Sequence, residues 1–223
     1  MNPSAFAATL DATNLKLDAT REEIRALCEE ARRAGYASVC VYPAHVSFCA
    51  NLLKDSSVGV CTVIAFPHGC SSFQSKREEI LYARTNGATE VDIVINHAAL
   101  RAGDDAWVAN DTKQLCEVSH EANLISKVIV ETCYLNKAQK LRALEICERA
   151  GADFIKTSTG FGSGGATIED IQLFAANRTS PIKIKASGGI RTLDTALSLL
   201  EAGAERLGVS AADSLLNAIL LNT

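Results

Sequence analysis

A chain of 223 residues that is 48% hydrophobic and 22% charged has the make-up of an ordinary folded domain, which excludes disordered, collagen-like and coiled-coil polypeptides. Its 26 acidic and 22 basic residues leave a net charge of -4 with the two signs mixed along the chain, which argues against a nucleic-acid partner. No apolar run approaches the ~18 residues of a membrane span, and the start Met1-Asn2-Pro3-Ser4-Ala5-Phe6 has no signal-peptide pattern, so the expected location is cytoplasmic, without membrane contact.

Taken in chain order, the first strand is expected near Ala8-Thr9-Leu10, followed by a helix opened by the capping box Thr20-Arg21-Glu22-Glu23. In that helix Ile24, Leu27, Cys28 and Ala31 share one face, with Glu22, Arg25, Glu29 and Arg32 on the other. Gly35 ends it, and an apolar strand through Val39-Cys40-Val41 begins within a few residues. The same phrase recurs at Gly87 before Val91-Asp92-Ile93-Val94-Ile95, at Gly151 before Phe154-Ile155-Lys156 and at Gly203 before Leu207-Gly208-Val209. Between these lie the β-branched runs Val58–Ile64, Ile125–Val130 and Ile182–Ala186, and a second capping box is expected at Ser75-Lys76-Arg77-Glu78. Eight strands, each followed by a helix, predict an α/β fold of the (β/α)₈ TIM-barrel type, a single domain over 1–223. An open doubly wound sheet would place a glycine-rich fingerprint after an early strand, and none stands there.

The eight cysteines form no C-x-x-C pair and the four histidines no metal-ligand spacing, so reduced thiols and metal-free, cofactor-free chemistry are expected. In a barrel the chemistry lies at the C-terminal ends of the strands. Lys156 and Lys185 occupy neighbouring strands there, and both ammonium groups should enter the same mouth. Two like charges ~5 Å apart at a dielectric of ~20 repel by about 3 kcal/mol, or about 2 pKa units, which brings a lysine toward ~8. That supplies the neutral amine of a Schiff-base nucleophile; the alternative is a lysine paired with a carboxylate for stability.

Asp92, an acid inside an apolar strand, reads as a general acid/base fed by the two lysines, or as a charge-balancing core residue. Asp11 and Thr13 are expected to bind substrate hydroxyls, to orient Lys185 or simply to cap the next loop, and Thr157 to join the substrate site. Lys127, paired with Glu131 on one strand face, and Cys40, a packed thiol, stand behind the site; Lys183 is a weaker candidate one layer deeper. Gly188, Gly189, Gly208 and Ser210 form an expected anion site at the seventh and eighth strands, with an amide from Gly160. The string from Gly160 to Thr167 reads as a mobile loop before a Thr-capped helix.

As a set, the strings Leu10-Asp11-Ala12-Thr13, Ser38-Val39-Cys40-Val41-Tyr42-Pro43, Phe154-Ile155-Lys156-Thr157-Ser158-Thr159-Gly160 and Lys185-Ala186-Ser187-Gly188-Gly189-Ile190-Arg191 resemble deoxyribose-phosphate aldolase, a class I aldolase family, along nearly the whole chain. The resemblance implies a TIM barrel that reversibly cleaves 2-deoxy-D-ribose 5-phosphate to acetaldehyde and D-glyceraldehyde 3-phosphate. It implies Lys156 as Schiff-base lysine, Lys185 as the lysine that lowers its pKa, Asp92 as proton relay and phosphate contacts near Gly160, Gly188, Gly189 and Ser210. The chain departs from the family at Ala12, where many members have His, at Ser210-Ala211, where many have two hydroxyl residues, and in ending at Thr223. The partners implied are small phosphosugars and aldehydes, with the oligomeric state, including a homo-oligomer, left open. Another phosphosugar Schiff-base enzyme, transaldolase-like for example, and a non-catalytic phosphosugar-binding barrel are the alternatives.

Overall fold

Eight parallel strands pair each with the next in the chain, and the last returns to the first to close the ring. They are β1 (Leu10–Asn14), β2 (Ser38–Val41), β3 (Gly59–Ile64), β4 (Glu90–Val94), β5 (Ile125–Ile129), β6 (Phe154–Lys156), β7 (Lys183–Ser187) and β8 (Arg206–Val209). The helices are α1 (Pro3–Ala7), α2 (Arg21–Ala34), α3 (Val46–Leu53), α4 (Phe73–Thr85), α5 (His97–Ala102), α6 (Asp105–Glu121), α7 (Lys137–Arg149), α8 (Ile168–Asn177), α9 (Leu193–Glu201) and α10 (Ala212–Leu221). The computed structural model describes residues 1–221; the last two residues of the expected 1–223 domain, Thr223 among them, lie outside the described residues.

Strand alternation sorts the side chains into two populations. Val39, Val41, Val91, Ile93, Val128, Ile155, Ile184, Ala186, Leu207 and Val209 are buried in the main apolar core together with residues of the helices, such as Ile24, Ile80, Leu115 and Ile171. The intervening residues meet one another across the barrel interior, and many of them are charged. A small inner apolar cluster of Leu15, Cys40, Cys61 and Val63, with Tyr42 and Phe66 against it, fills the side of β2 and β3.

The caps explain where elements begin and end. Thr20 forms the expected capping box with Glu23, and Gly35 closes α2 in the left-handed region at φ 72°. Gly87, Gly151 and Gly203 also have positive φ, as the repeated helix-to-strand phrase requires. Two expectations shift. β1 starts at Leu10 because Asn2 caps a short helix that occupies Pro3–Ala7. The fourth helix starts three residues before the expected Ser75: Ser72 accepts from the Ser75 amide, and Ser75 thereby becomes the third residue of the first turn. With that register Lys76 turns inward, fully buried, onto Asp111 of α6 at 2.8 Å.

Candidate active site

Asp92 is the hub of the barrel interior. Its Oδ2 accepts from Lys156 Nζ and Lys185 Nζ, each at 2.7 Å, and its Oδ1 from Lys127 Nζ at 2.8 Å. The Cys61 thiol donates to the same Oδ1 at 3.1 Å. The strand register places these groups together: Asp92 pairs with Lys127 across β4 and β5, and Lys156 with Lys185 across β6 and β7. Lys185 reaches Asp11 as well, whose other oxygen is held by Arg206 and by Ser38 Oγ. Glu90 completes the set, 2.6 Å from Lys127 and 2.9 Å from Arg206.

Burial would push the Asp92 carboxyl up, but Lys127, Lys156 and Lys185 together hold it well below the usual carboxylate range. Burial pulls Lys185 down, and the carboxylates of Asp11 and Asp92 more than offset this, so it lies above the ordinary lysine range. The expected fall in basicity from simple lysine–lysine repulsion is therefore reversed at Lys185, because a shared carboxylate sits between the two ammonium groups. Lys127 is raised in the same way: its burial is outweighed by Asp92, with Cys61, Glu90 and Asp11 contributing. Four basic side chains face three carboxylates, one positive charge in excess. Lys156 has one ion-pair partner where Lys127 and Lys185 have two or more, and it is 3% exposed where those two are 0%. A neutral amine at Lys156 leaves the cluster balanced.

The remaining candidates divide. Thr13 is partly exposed one alternation above Asp11 and donates to the Asp11 carbonyl at 2.9 Å. Asp11 is fully buried, with its carboxylate on Lys185, Arg206 and Ser38, the geometry of the Lys185-orienting alternative. Thr157 is fully buried beside Lys156, and its hydroxyl donates to the Ser187 carbonyl and accepts from the Ser187 amide, stitching the end of β6 to β7. Ala12 is packed in the main apolar core, facing away from the ionic cluster.

Lys127 and Glu131 do not form the expected pair. β5 ends at Ile129, Glu131 adopts a left-handed conformation at φ 54°, and its carboxylate turns to the Thr159 amide (3.2 Å) and hydroxyl (2.5 Å). Lys183 is exposed at the opening of β7, with its ammonium over the Phe154 ring. Cys40 is fully buried beside Cys61 and Asp92, their potential ligand atoms within 4.8 Å of one another. A metal ion there would meet the three ammonium groups already on Asp92, so the donor set does not suit one.

At the rim, Gly160 and Gly188 have φ of 87° and 83°, and a Cβ on Gly188 would stand 3.4 Å from Gly160 Cα. Gly189 follows at φ 77° in open space, and Ser210, exposed, leaves the neighbouring strand β8 toward α10. The loop expected to be mobile is pinned at both ends, by Thr159 on Glu131 and by the Ala166 amide on the Ser187 and Gly188 carbonyls. Phe161 at its crest is half exposed and meets Phe66 edge-on at 5.3 Å, while Phe66 meets Tyr42 at 6.1 Å. Gly208 is not one of the rim residues: it lies inside β8, paired on both sides, where a Cβ would come within 2.9 Å of Ser187 Cβ and 3.3 Å of Lys185 Cε. Gly208→Ala is expected to destabilise the protein by about 1–3 kcal/mol in denaturant unfolding, through overpacking against Ser187 and, less tightly, Lys185.

Glu90, Arg206, Ser38 and Cys61 belong to the cluster and were not singled out from the sequence. Glu90 stands two residues before Asp92 and Arg206 two before Gly208, so strand parity alone marks both as inward-facing.

A family model described as DeoC/LacD family aldolase matches residues 5–217. A deoxyribose-phosphate aldolase of Carboxydothermus hydrogenoformans is 46% identical over 222 residues, 99% of this chain and 97% of that protein. The solved structure of an aldolase called QR15 superposes with a TM-score of 0.92 at 39% identity, covering 97% of this chain and 96% of that one. A deoxyribose phosphate aldolase from Aeropyrum pernix, described as tetrameric, gives a TM-score of 0.93 at 28% identity, covering 100% and 94%.

Proposed function

Since the chain belongs to the DeoC/LacD family of aldolases, we propose that its interior cluster carries the class I cleavage of 2-deoxy-D-ribose 5-phosphate to acetaldehyde and D-glyceraldehyde 3-phosphate, with Lys156 as the nucleophile. The neutral Lys156 amine adds to the C-1 carbonyl of the open-chain sugar phosphate, and loss of water leaves a protonated imine. Asp92, through a water, takes the proton of the C-3 hydroxyl while the charged Lys185 stabilises the developing alkoxide, the C-2–C-3 bond breaks, and its electron pair passes into the iminium to give an enamine and D-glyceraldehyde 3-phosphate. A proton returned to C-2 converts the enamine to the imine of acetaldehyde, and hydrolysis frees the lysine. The iminium is the electron sink, so the scheme uses no cofactor. Gly160, Gly188, Gly189 and Ser210 are the proposed phosphate contacts, backbone amides and a hydroxyl suited to an anion. All eight cysteines are unbridged, which accords with a cytoplasmic setting; among the described residues no helix is long and apolar enough to cross a membrane.

One observation carries this reading: of the three ammonium groups on Asp92, Lys156 has the fewest carboxylate partners and is the one with an exposed edge. Incubation with acetaldehyde and borohydride, followed by intact mass and peptide mapping, is expected to give a single two-carbon adduct on Lys156. An adduct on Lys185 would exchange the roles of the lysines, and no adduct on folded protein would overturn the mechanism.

A further inference from the structure

The cluster has a lower storey that the proposed reaction does not touch. Glu90, one alternation below Asp92 on β4, takes Lys127 and Arg206 on the same oxygen, and is 4% exposed. Its place is built: Gly59 on β3 leaves the room, since a Cβ there would stand 3.1 Å from Glu90 Oε1. Lys127 divides itself between Glu90 at 2.6 Å and Asp92 at 2.8 Å, and Asp92 divides itself between Lys127 and the pair Lys156 and Lys185. The titratable and charged groups joined to the Lys156 amine through Asp92 and its partners therefore come from each of the other strands: Asp11 on β1, Cys40 on β2, Cys61 on β3, Glu90 and Asp92 on β4, Lys127 on β5, Lys185 on β7 and Arg206 on β8.

We infer that Glu90 is a positioning residue for Schiff-base formation: by holding Lys127 and Arg206 beneath Asp92, it sets the charge against which the Lys156 amine loses its proton. The inference rests on Lys156 being the nucleophile. Two effects of neutralising Glu90 have the same sign. The cluster's excess positive charge rises from one to two, and Lys127, deprived of its nearer partner, draws more on Asp92 and leaves less of it for Lys156. Both favour the neutral amine, and the desolvated interior transmits such effects with little screening. Arg206 acts in the opposite sense, because its removal takes away a positive charge from the same layer.

The test is the rate of acetaldehyde adduct formation, trapped with borohydride and mapped, as a function of pH. In Glu90→Gln the midpoint of its rise is expected to move down by about one pH unit, roughly tenfold faster addition on the acid side, and in Arg206→Gln to move up by about one unit. Glu90→Asp is expected to bring the midpoint back toward wild type. Folded variants whose midpoints stay at the wild-type value, or move in the same direction, would overturn the inference, as would failure of both Glu90→Gln and Arg206→Gln to fold, which would mark the layer as purely structural. If only one folds, its own shift decides. A wild-type adduct away from Lys156 is a separate failure, that of the nucleophile assignment.

Discussion

Lys156→Leu is expected to lower kcat for cleavage of 2-deoxy-D-ribose 5-phosphate by about 10⁴-fold or more and to abolish the borohydride-trapped adduct. The covalent path needs an amine fixed beside the bound carbonyl, and no amount of dissolved amine at ordinary concentration replaces one held in place. Lys185 cannot substitute: it is fully buried, and two carboxylates keep it charged. The fold should survive, since Leu is close to the apolar part of the lysine in size and its removal of one cation leaves three bases against three acids. Asp92 keeps Lys127 and Lys185. Native circular dichroism with lost turnover is the predicted combination; turnover within tenfold of wild type would refute the assignment.

Asp92→Asn is expected to damage both stability and rate. The amide retains the shape but not the charge, and three ammonium groups at 2.7 to 2.8 Å lose their shared counter-ion. Breaking a buried pair by deleting one partner costs about 3–5 kcal/mol, because the surviving charge stays buried uncompensated. Loss of the proton relay adds a fall in kcat of about 10²–10⁴-fold. The pH dependence has a definite sign. The folded carboxyl lies well below the unfolded value of ~3.9, so its stabilising contribution is complete above that value and disappears as pH falls through the folded one. Denaturant melts should therefore show a constant gap between wild type and Asp92→Asn from pH 8 to pH 5, narrowing only below about pH 4. A gap that closes already between pH 7 and 5 would contradict this.

The barrel was legible because its signals are local: a glycine past every second helix recurs at about two βα units, with a β-branched run halfway between and capping residues at helix starts. The hub was legible for a related reason. An aspartate and two lysines inside apolar strands are costly unless they meet, and adjacent strand ends bring them together. Gly208 was misread because register was not carried through: it sits level with Ser187, inside the sheet. Glu90 and Arg206 escaped for want of the same count. Glu131 could not be read that way, since its left-handed backbone breaks the alternation just past β5.

The ionic cluster is also divided by chain order. Asp11, Glu90 and Asp92 all stand on β1 to β4, whereas Lys127, Lys156, Lys185 and Arg206 all stand on β5 to β8. A nascent chain that has delivered its first four strands thus holds three carboxylates destined for the interior and none of their counter-ions. Closing that segment into a dry half-barrel would leave the acids uncompensated, and the later segment alone would have the mirror-image problem with its bases. The charges make each half a template for the other, so the ring is expected to assemble as one cooperative event after synthesis has passed β8, and separately expressed halves to order only when mixed.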